Sequence, residues 1–257
     1  METNQTKPAC LDNATNGFEP LVLQLPATEI DQTLYEMSPE SIIQRAEPVL
    51  RAISQRRSVR HFALEAPPRE LVLRAIEAAT HAPSGMNKQP WRFVVVASDK
   101  IKRQMVECVS EEIETILKLL AGGKYTEKVG GYLRNYATTF CNAPIVINVL
   151  YREYGQVIAS LMARENIVYP ENQEEAASPA MQSVSAAIQN LQLAAQSFGL
   201  ATCWMTAPLF AKNQLHELLE VEEPWELAAV VPIGYPLKEH RAVPHRIRFE
   251  RVVRWLD

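Results

Sequence analysis

Arg56-Arg57-Ser58-Val59-Arg60 is the stretch that decides how this chain reads. From Arg51 to Arg60 there are four arginines and no acid, in a protein whose 30 Asp and Glu outnumber its 26 Lys and Arg. A guanidinium fork bonds oxyanions in pairs, and a serine hydroxyl adds a further donor. Alone, these residues read as either a solvated basic helix end or a phosphate pocket.

Upstream, Ile42, Ile43, Ala46, Val49, Leu50 and Ile53 recur at helical steps from Ser41, and Pro48 is expected to break or kink that helix. Residues 1–40 are rich in Asn, Thr, Pro and Gln and read as an extension, either flexible or wrapped on a partner subunit. Downstream, Arg69 to His81 is an amphipathic helix, and Phe93 to Val96 and Ile145 to Leu150 are short buried strands. Helices are expected near Lys100 to Leu120, over Met181 to Phe198 and near Lys212 to Val221, with strands at Ala201 to Trp204 and Leu227 to Ile233. Gly122-Gly123 and Gly130-Gly131 bracket a polar stretch expected to be mobile, and residues 170–179 read as a surface loop. The sum is an α+β or α/β domain over 41–257.

A second segment, Ala82-Pro83-Ser84-Gly85-Met86-Asn87-Lys88-Gln89-Pro90-Trp91, joins a helix to a buried strand through a stiff turn. Such a turn brings backbone N–H groups and short polar side chains close to a planar ligand, or serves as turn chemistry alone.

Composition narrows the function classes. With 257 residues, 47% of them hydrophobic, the chain has material for a core that needs no disulfide or metal. A net charge of −4 argues against a nucleic-acid binder. There is no apolar run long enough to span a membrane, and the polar start lacks the pattern of a secretory signal, so a cytoplasmic protein is expected. Cys10, Cys108, Cys141 and Cys203 form no CxxC pair and read as free thiols. His61, His81, His216, His240 and His245 show no metal-ligand spacing, so no metal site is expected.

Taken in order, five segments resemble the nitroreductase superfamily of flavin enzymes. They are the arginine stretch; Pro83-Ser84-Gly85 with Asn87 and Gln89-Pro90-Trp91; Gly199-Leu200-Ala201-Thr202-Cys203-Trp204; Val231-Pro232-Ile233-Gly234-Tyr235-Pro236; and Arg246 with Arg248. The resemblance runs from about residue 50 to the C-terminus. It implies an α+β fold with a central mixed or antiparallel sheet, an intertwined homodimer, and FMN at the dimer interface. It assigns Arg56, Arg57, Ser58 and Arg60 to the FMN-binding stretch, with Arg56 and Ser58 on phosphate and ribityl oxygens and Arg60 toward the pyrimidine edge. Arg246, with Arg248 beside it, would close on the phosphate, and Pro83, Ser84, Gly85 and Asn87 would pack on the flavin from the other subunit. Met205-Thr206 falls where the family places groups near flavin N5, with Thr206 the candidate N5 donor. No other catalytic side chain is implied, since the flavin carries the chemistry.

Within the superfamily the chain looks most like the iodotyrosine-deiodinase-like branch, which grips its amino-acid substrate with Glu, Tyr and Lys from a lid. The corresponding lid spans about 111–139. Glu111 or Glu112 matches the Glu, but Thr115 stands where the Tyr is expected, and Tyr136 to Thr138 offers no Lys. Tyr125, Tyr132 and Tyr136 supply aromatic surface in that lid instead. Ser58 stands where the flavin-destroying branch usually has Asp. The resemblance therefore implies an FMN-dependent oxidoreductase in which NADH or NADPH reduces FMN and a nitroaromatic, quinone or similar acceptor takes the electrons. A reductive dehalogenase of halogenated phenols or tyrosines is the alternative, and a non-catalytic flavin-binding protein the contrasting class.

Overall fold

A computed structural model describes residues 37–120, 126–154, 164–165, 167, 178–237 and 244–256. The chain forms two compact units, 1–47 and 48–257. Helix α1, Pro39–Gln55, begins in the first and ends in the second. It runs through Pro48 where the sequence predicted a break, and it buries no residue, so water is free to take the carbonyl that the missing N–H leaves.

In the second unit the described strands form one antiparallel sheet in the order β1-β2-β4-β3. β1 is Trp91–Val96, β2 Ile145–Tyr151, β3 Ala201–Thr202 and β4 Glu226–Gly234. Helices cover both faces, which is why an antiparallel sheet reads as nearly unbroken apolar runs rather than as alternation. On one face α2 (Arg69–Thr80) and α5 (Pro179–Ser197) pack Val72, Ala75, Ala79, Ala187, Ile188 and Leu191 against Ile145, Ile147, Val149, Val231 and Ile233. On the other, α3 (Asp99–Leu119), α4 (Thr126–Ala137) and α6 (Lys212–Leu218) pack Met105, Val109, Ile113, Ala137 and Leu215 against Val146, Leu150, Leu227 and Val230. The β2–β4 register slips between Val149 and Leu150, which lets Ala228 and Ala229 both face the first core.

Local chemistry sets the element ends. Ser98 Oγ accepts from Ile101 N–H (3.4 Å) and Ser178 Oγ from Met181 N–H (3.0 Å), each capping the first turn of its helix. Gly199, at φ +74°, closes α5 in the left-handed region, and Leu200 N–H returns to Ala195 O (2.9 Å).

The described part of the stretch expected to be mobile, from Thr126, belongs to the helix α4, which runs through Gly130-Gly131, and its part before Thr126 lies outside the described residues. A Cβ on Gly130 would stand 3.1 Å from Leu117 Cδ1, so the bare glycine lets α4 approach α3 closely. Arg134 ties the two helices together through Glu114, its NH2 reaching Oε2 at 2.9 Å and its Nε reaching Oε1. The strand expected to run to Trp204 stops at Thr202, and Met205 joins Val230 by an isolated bridge beyond it. The predicted helix near Lys212 is preceded by a 3-10 turn, Ala207–Ala211, and stops at Leu218. Residues 1–36, Tyr125 and the expected loop over 170–177 lie outside the described residues.

Candidate functional site

The arginine stretch lies along the outer edge of the sheet. Val59 N–H donates to Thr202 O (3.0 Å), and Ser58 bridges Thr202 in parallel, so the segment continues the sheet beyond β3. Val59 and Phe62, both 5% exposed, anchor it in a small core with Ala143 and Ala201. The apolar residues point inward, which leaves Arg56, Arg57 and Arg60 part-buried around the strand end.

Arg57 and Arg60 are held by neutral groups. Arg57 donates through NH1 to Ser54 O (2.6 Å) and Arg56 O (2.9 Å). Arg60 donates through NH2 to Tyr136 Oη (3.3 Å), and its guanidinium carbon lies 4.8 Å from the Tyr136 ring centre. Asn142 Nδ2 donates to Arg60 O (3.2 Å) and fixes the backbone there. Burial first, then repulsion from Arg246 and Arg57, holds the Arg56 pKa below its ordinary value. Arg246, far along the chain, is thus near enough for its charge to act on Arg56. Among the described residues no carboxylate pairs with Arg56, Arg57 or Arg60. The Nε atoms of Arg57 and Arg60 are buried with no hydrogen-bond partner. Buried donors left open carry a cost, and an oxyanion ligand would relieve it.

The Cys203 thiol is fully buried beside this cluster; burial pushes its pKa up, while Arg60, Arg56 and a hydrogen bond with Ser58 oppose that rise. Met205 is also fully buried, and its backbone N–H and C=O are both spent on Val230, so it is packed as core. Thr206 follows it and is exposed at the start of the 3-10 turn. Thr139 links this segment to the end of α4, with Oγ1 2.9 Å from Tyr136 O and 3.8 Å from Met205 Sδ. Arg248 is exposed and turned toward Glu250 (3.5 Å).

The lid residues divide. Tyr132 and Tyr136 stack with ring centres 5.1 Å apart and planes 14° from parallel. Glu112 accepts from Gln214 Nε2 (2.9 Å), and Glu111 is exposed. Thr115, where a Tyr was expected, turns back and donates to Glu111 O (3.0 Å).

Pro83, Ser84, Gly85 and Asn87 lie elsewhere. Their turn leads into Trp91, which pairs with Tyr151, whereas Thr202 pairs with Ile233 at the other end of the sheet and on its far edge. The turn lines a cleft of about 400 Å³ with Tyr154, Gln182 and Ser183. Ser183 and Gln192, which bonds Thr202 Oγ1 at 3.2 Å, mark the two places on α5. They are roughly 14 Å apart along the helix axis. The turn is itself strained: Met86, Asn87 and Gln89 all have positive φ, between 46° and 54°. Ser84 Oγ accepts from Gln89 N–H (3.0 Å) and holds it closed. A side chain at Gly85 would meet Tyr154 Oη at 2.9 Å.

Three supporting residues were not anticipated from sequence. Asn142 and Thr139 act through contacts with no local signal. Lys102, only 7% exposed, donates to Ala143 O (2.9 Å) and Pro144 O (3.1 Å) beneath Asn142. Its place on the buried stripe of α3, three residues before Met105, was the available clue.

Known proteins resemble this chain in sequence and fold. The iodotyrosine deiodinase of Danio rerio is 29% identical over 216 residues, covering 84% of this chain and 68% of that protein. The crystal structure of a BluB-like flavoprotein from Clostridium difficile 630 superposes with a TM-score of 0.75 at 24% identity, over 81% of this chain and 99% of that one. A nitroreductase with bound FMN from Desulfitobacterium hafniense DCB-2 gives a TM-score of 0.60 at 23% identity, over 82% and 98%. The model of the nitroreductase family matches residues 53–235, a span that carries the arginine stretch, the strained turn and the whole sheet. The chain belongs to the nitroreductase family.

Proposed function

We propose that this protein is an FMN-dependent oxidoreductase that uses NADH or NADPH to reduce electron-poor planar aromatics such as nitroaromatics and quinones. The observation that carries the proposal is the part-buried arginines Arg56, Arg57 and Arg60, unpaired with any carboxylate among the described residues, with the Arg246 charge acting on Arg56 and two buried Nε donors open. A flavin phosphate and pyrimidine edge supply the acceptors those donors lack. Bound FMN would take electrons from a nicotinamide and pass them to the acceptor, so no protein acid, base or nucleophile is required.

The chain's own residues then bind and orient. Arg56 and Arg246 would hold the phosphate, with Arg57, Ser58 and the more exposed Arg248 beside them, and Arg60 would face the pyrimidine edge. The Thr206 hydroxyl is free to donate toward N5. The separation of the Pro83–Asn87 turn from the arginines supports a homodimer in which a second copy brings its turn to the flavin. We assign the domain to 41–257, with 1–40 as an extension and 111–139 as the lid.

Reductive dehalogenation of halophenols or halotyrosines is the second reading, favoured by the deiodinase similarity over 84% of the chain. Glu112 is bonded to Gln214, Thr115 is bonded to its own helix and Tyr136 to Thr138 holds no Lys, so the described lid residues assemble no grip on a zwitterion. The test is NAD(P)H oxidation by the yellow purified protein with a nitroaromatic, a quinone and 3-iodotyrosine. Efficient nitroaromatic or quinone turnover supports the first reading and efficient iodide release the second. A colourless protein that takes up no FMN overturns both.

A further inference from the structure

The Arg60 side chain is held almost entirely from the lid. Its NH2 donates to Tyr136 Oη (3.3 Å), its guanidinium lies over the Tyr136 ring (4.8 Å), and its Nε is buried and open. Tyr136 in turn stacks on Tyr132, and Thr139 ties its carbonyl to the Met205 segment.

We infer that Tyr136 is a positioning residue for Arg60, joining the lid helix α4 to the cation that would face the pyrimidine edge of the flavin; the inference rests on the FMN reading above. A tyrosine clamp differs in kind from a carboxylate clamp. A carboxylate would fix Arg60 but neutralise it, whereas a phenol and a ring face fix it and leave the whole positive charge for a ligand. Because α4 carries the clamp, displacing α4 withdraws it from Arg60. By linkage, ligand binding at Arg60 then favours the position of α4 seen here.

Two properties follow. A cation at the pyrimidine edge stabilises the negative charge of the reduced flavin and so raises its reduction potential. Loosening Arg60 should lower that potential and weaken FMN binding together, while changes to Tyr132 leave the Tyr136–Arg60 contact in place.

The experiment compares wild type, Tyr136→Phe, Tyr136→Ala and Tyr132→Ala. Apoprotein is titrated with FMN, and the midpoint potential of each reconstituted protein is measured by spectroelectrochemistry. Tyr136→Ala should raise the FMN Kd by on the order of five- to tenfold and make the potential more negative. Tyr136→Phe, which keeps the ring face but loses the hydroxyl, should fall between it and wild type in both. Tyr132→Ala should stay within about twofold of wild type in Kd. Wild-type Kd and potential in both Tyr136 variants overturn the inference; if Tyr136→Ala does not fold, an unchanged potential in Tyr136→Phe does so alone. Failure of wild type to bind FMN is a different result, and it removes the functional reading along with this one.

Discussion

The charge of Arg246 acts on Arg56 at the edge of the sheet: burial first, then repulsion from Arg246 and Arg57, keeps the Arg56 pKa below its ordinary value. Unfolded, the two cations are far apart in water. Folded, the Arg246 charge acts on Arg56 and its neighbour Arg57, with no carboxylate among the described residues paired to Arg56 or Arg57, so the fold gathers charge that an anionic ligand would neutralise.

The sign of one substitution should therefore depend on the ligand. Arg56→Ala removes repulsion from the apoprotein and a charge-assisted bond from the complex. The apoprotein should melt at the same temperature as wild type or higher. FMN binding should weaken by about 1.5–3 kcal/mol. Differential scanning fluorimetry with and without excess FMN reads both. A variant that melts lower than wild type without FMN and equally with it would refute this account of the cluster.

Lys102 should matter more than its distance from the arginines suggests. Its ammonium satisfies the carbonyls of Ala143 and Pro144, directly after Asn142, which holds Arg60 O. Lys102→Met keeps the apolar stem but leaves two carbonyls without their donor. Unfolding in urea should show a loss of about 2–4 kcal/mol. FMN affinity should fall with it, since the Asn142 contact depends on that loop. A stability within error of wild type would mean that water replaces the lysine.

Much of this architecture is legible in the sequence because hydrophobic runs carry it. Ile145 to Leu150 and Leu227 to Ile233 are apolar but for Asn148 since both faces of the sheet are covered, and the observed strands extend them by one or two residues. β3 is two residues long and gives no pattern of its own; Gly199 before it was the readable mark. α4 was hidden because Gly130-Gly131 signals a break, whereas packing on Leu117 rather than propensity makes it helical. In the site, the basic stretch announced itself through charge. The Tyr136–Arg60 and Asn142–Arg60 contacts join residues more than 70 positions apart, and no local pattern encodes them.

Stability should respond to pH through His216. Its Nε2 accepts from Leu227 N–H (3.0 Å), which requires the neutral ring. Burial and the nearby Lys212 hold its pKa below the ordinary 6.5, against the opposing pull of Glu226. Below pH 6.5 the unfolded chain gains a proton at this histidine that the folded chain resists. The contribution of His216 is thus intact above pH 6.5 and is lost as pH falls toward its folded pKa. Tm should decline in wild type as pH falls below about 6.5. In His216→Gln, which offers an acceptor that does not titrate, the decline should be shallower. Identical pH profiles would show that His216 does not set this dependence.

The paired glycines of α4 separate packing from motion. A Cβ on Gly131 meets nothing within 4 Å, while one on Gly130 meets Leu117 at 3.1 and 3.2 Å, in a side chain already 7% exposed. Gly131→Ala should stabilise the helix by about 0.5–1 kcal/mol, because alanine loses less backbone freedom on folding. Gly130→Ala gains the same propensity but must push Leu117 aside, so it should melt below Gly131→Ala. The consequence for function follows if α4 must leave its seat on α3 to admit nicotinamide and acceptor in turn. A helix held more firmly by 0.5–1 kcal/mol opens roughly two- to fivefold less often. Turnover of a quinone by Gly131→Ala should then fall by about that factor while its Tm rises. A raised Tm with unchanged kcat would identify α4 as a fixed wall of the site rather than a moving lid.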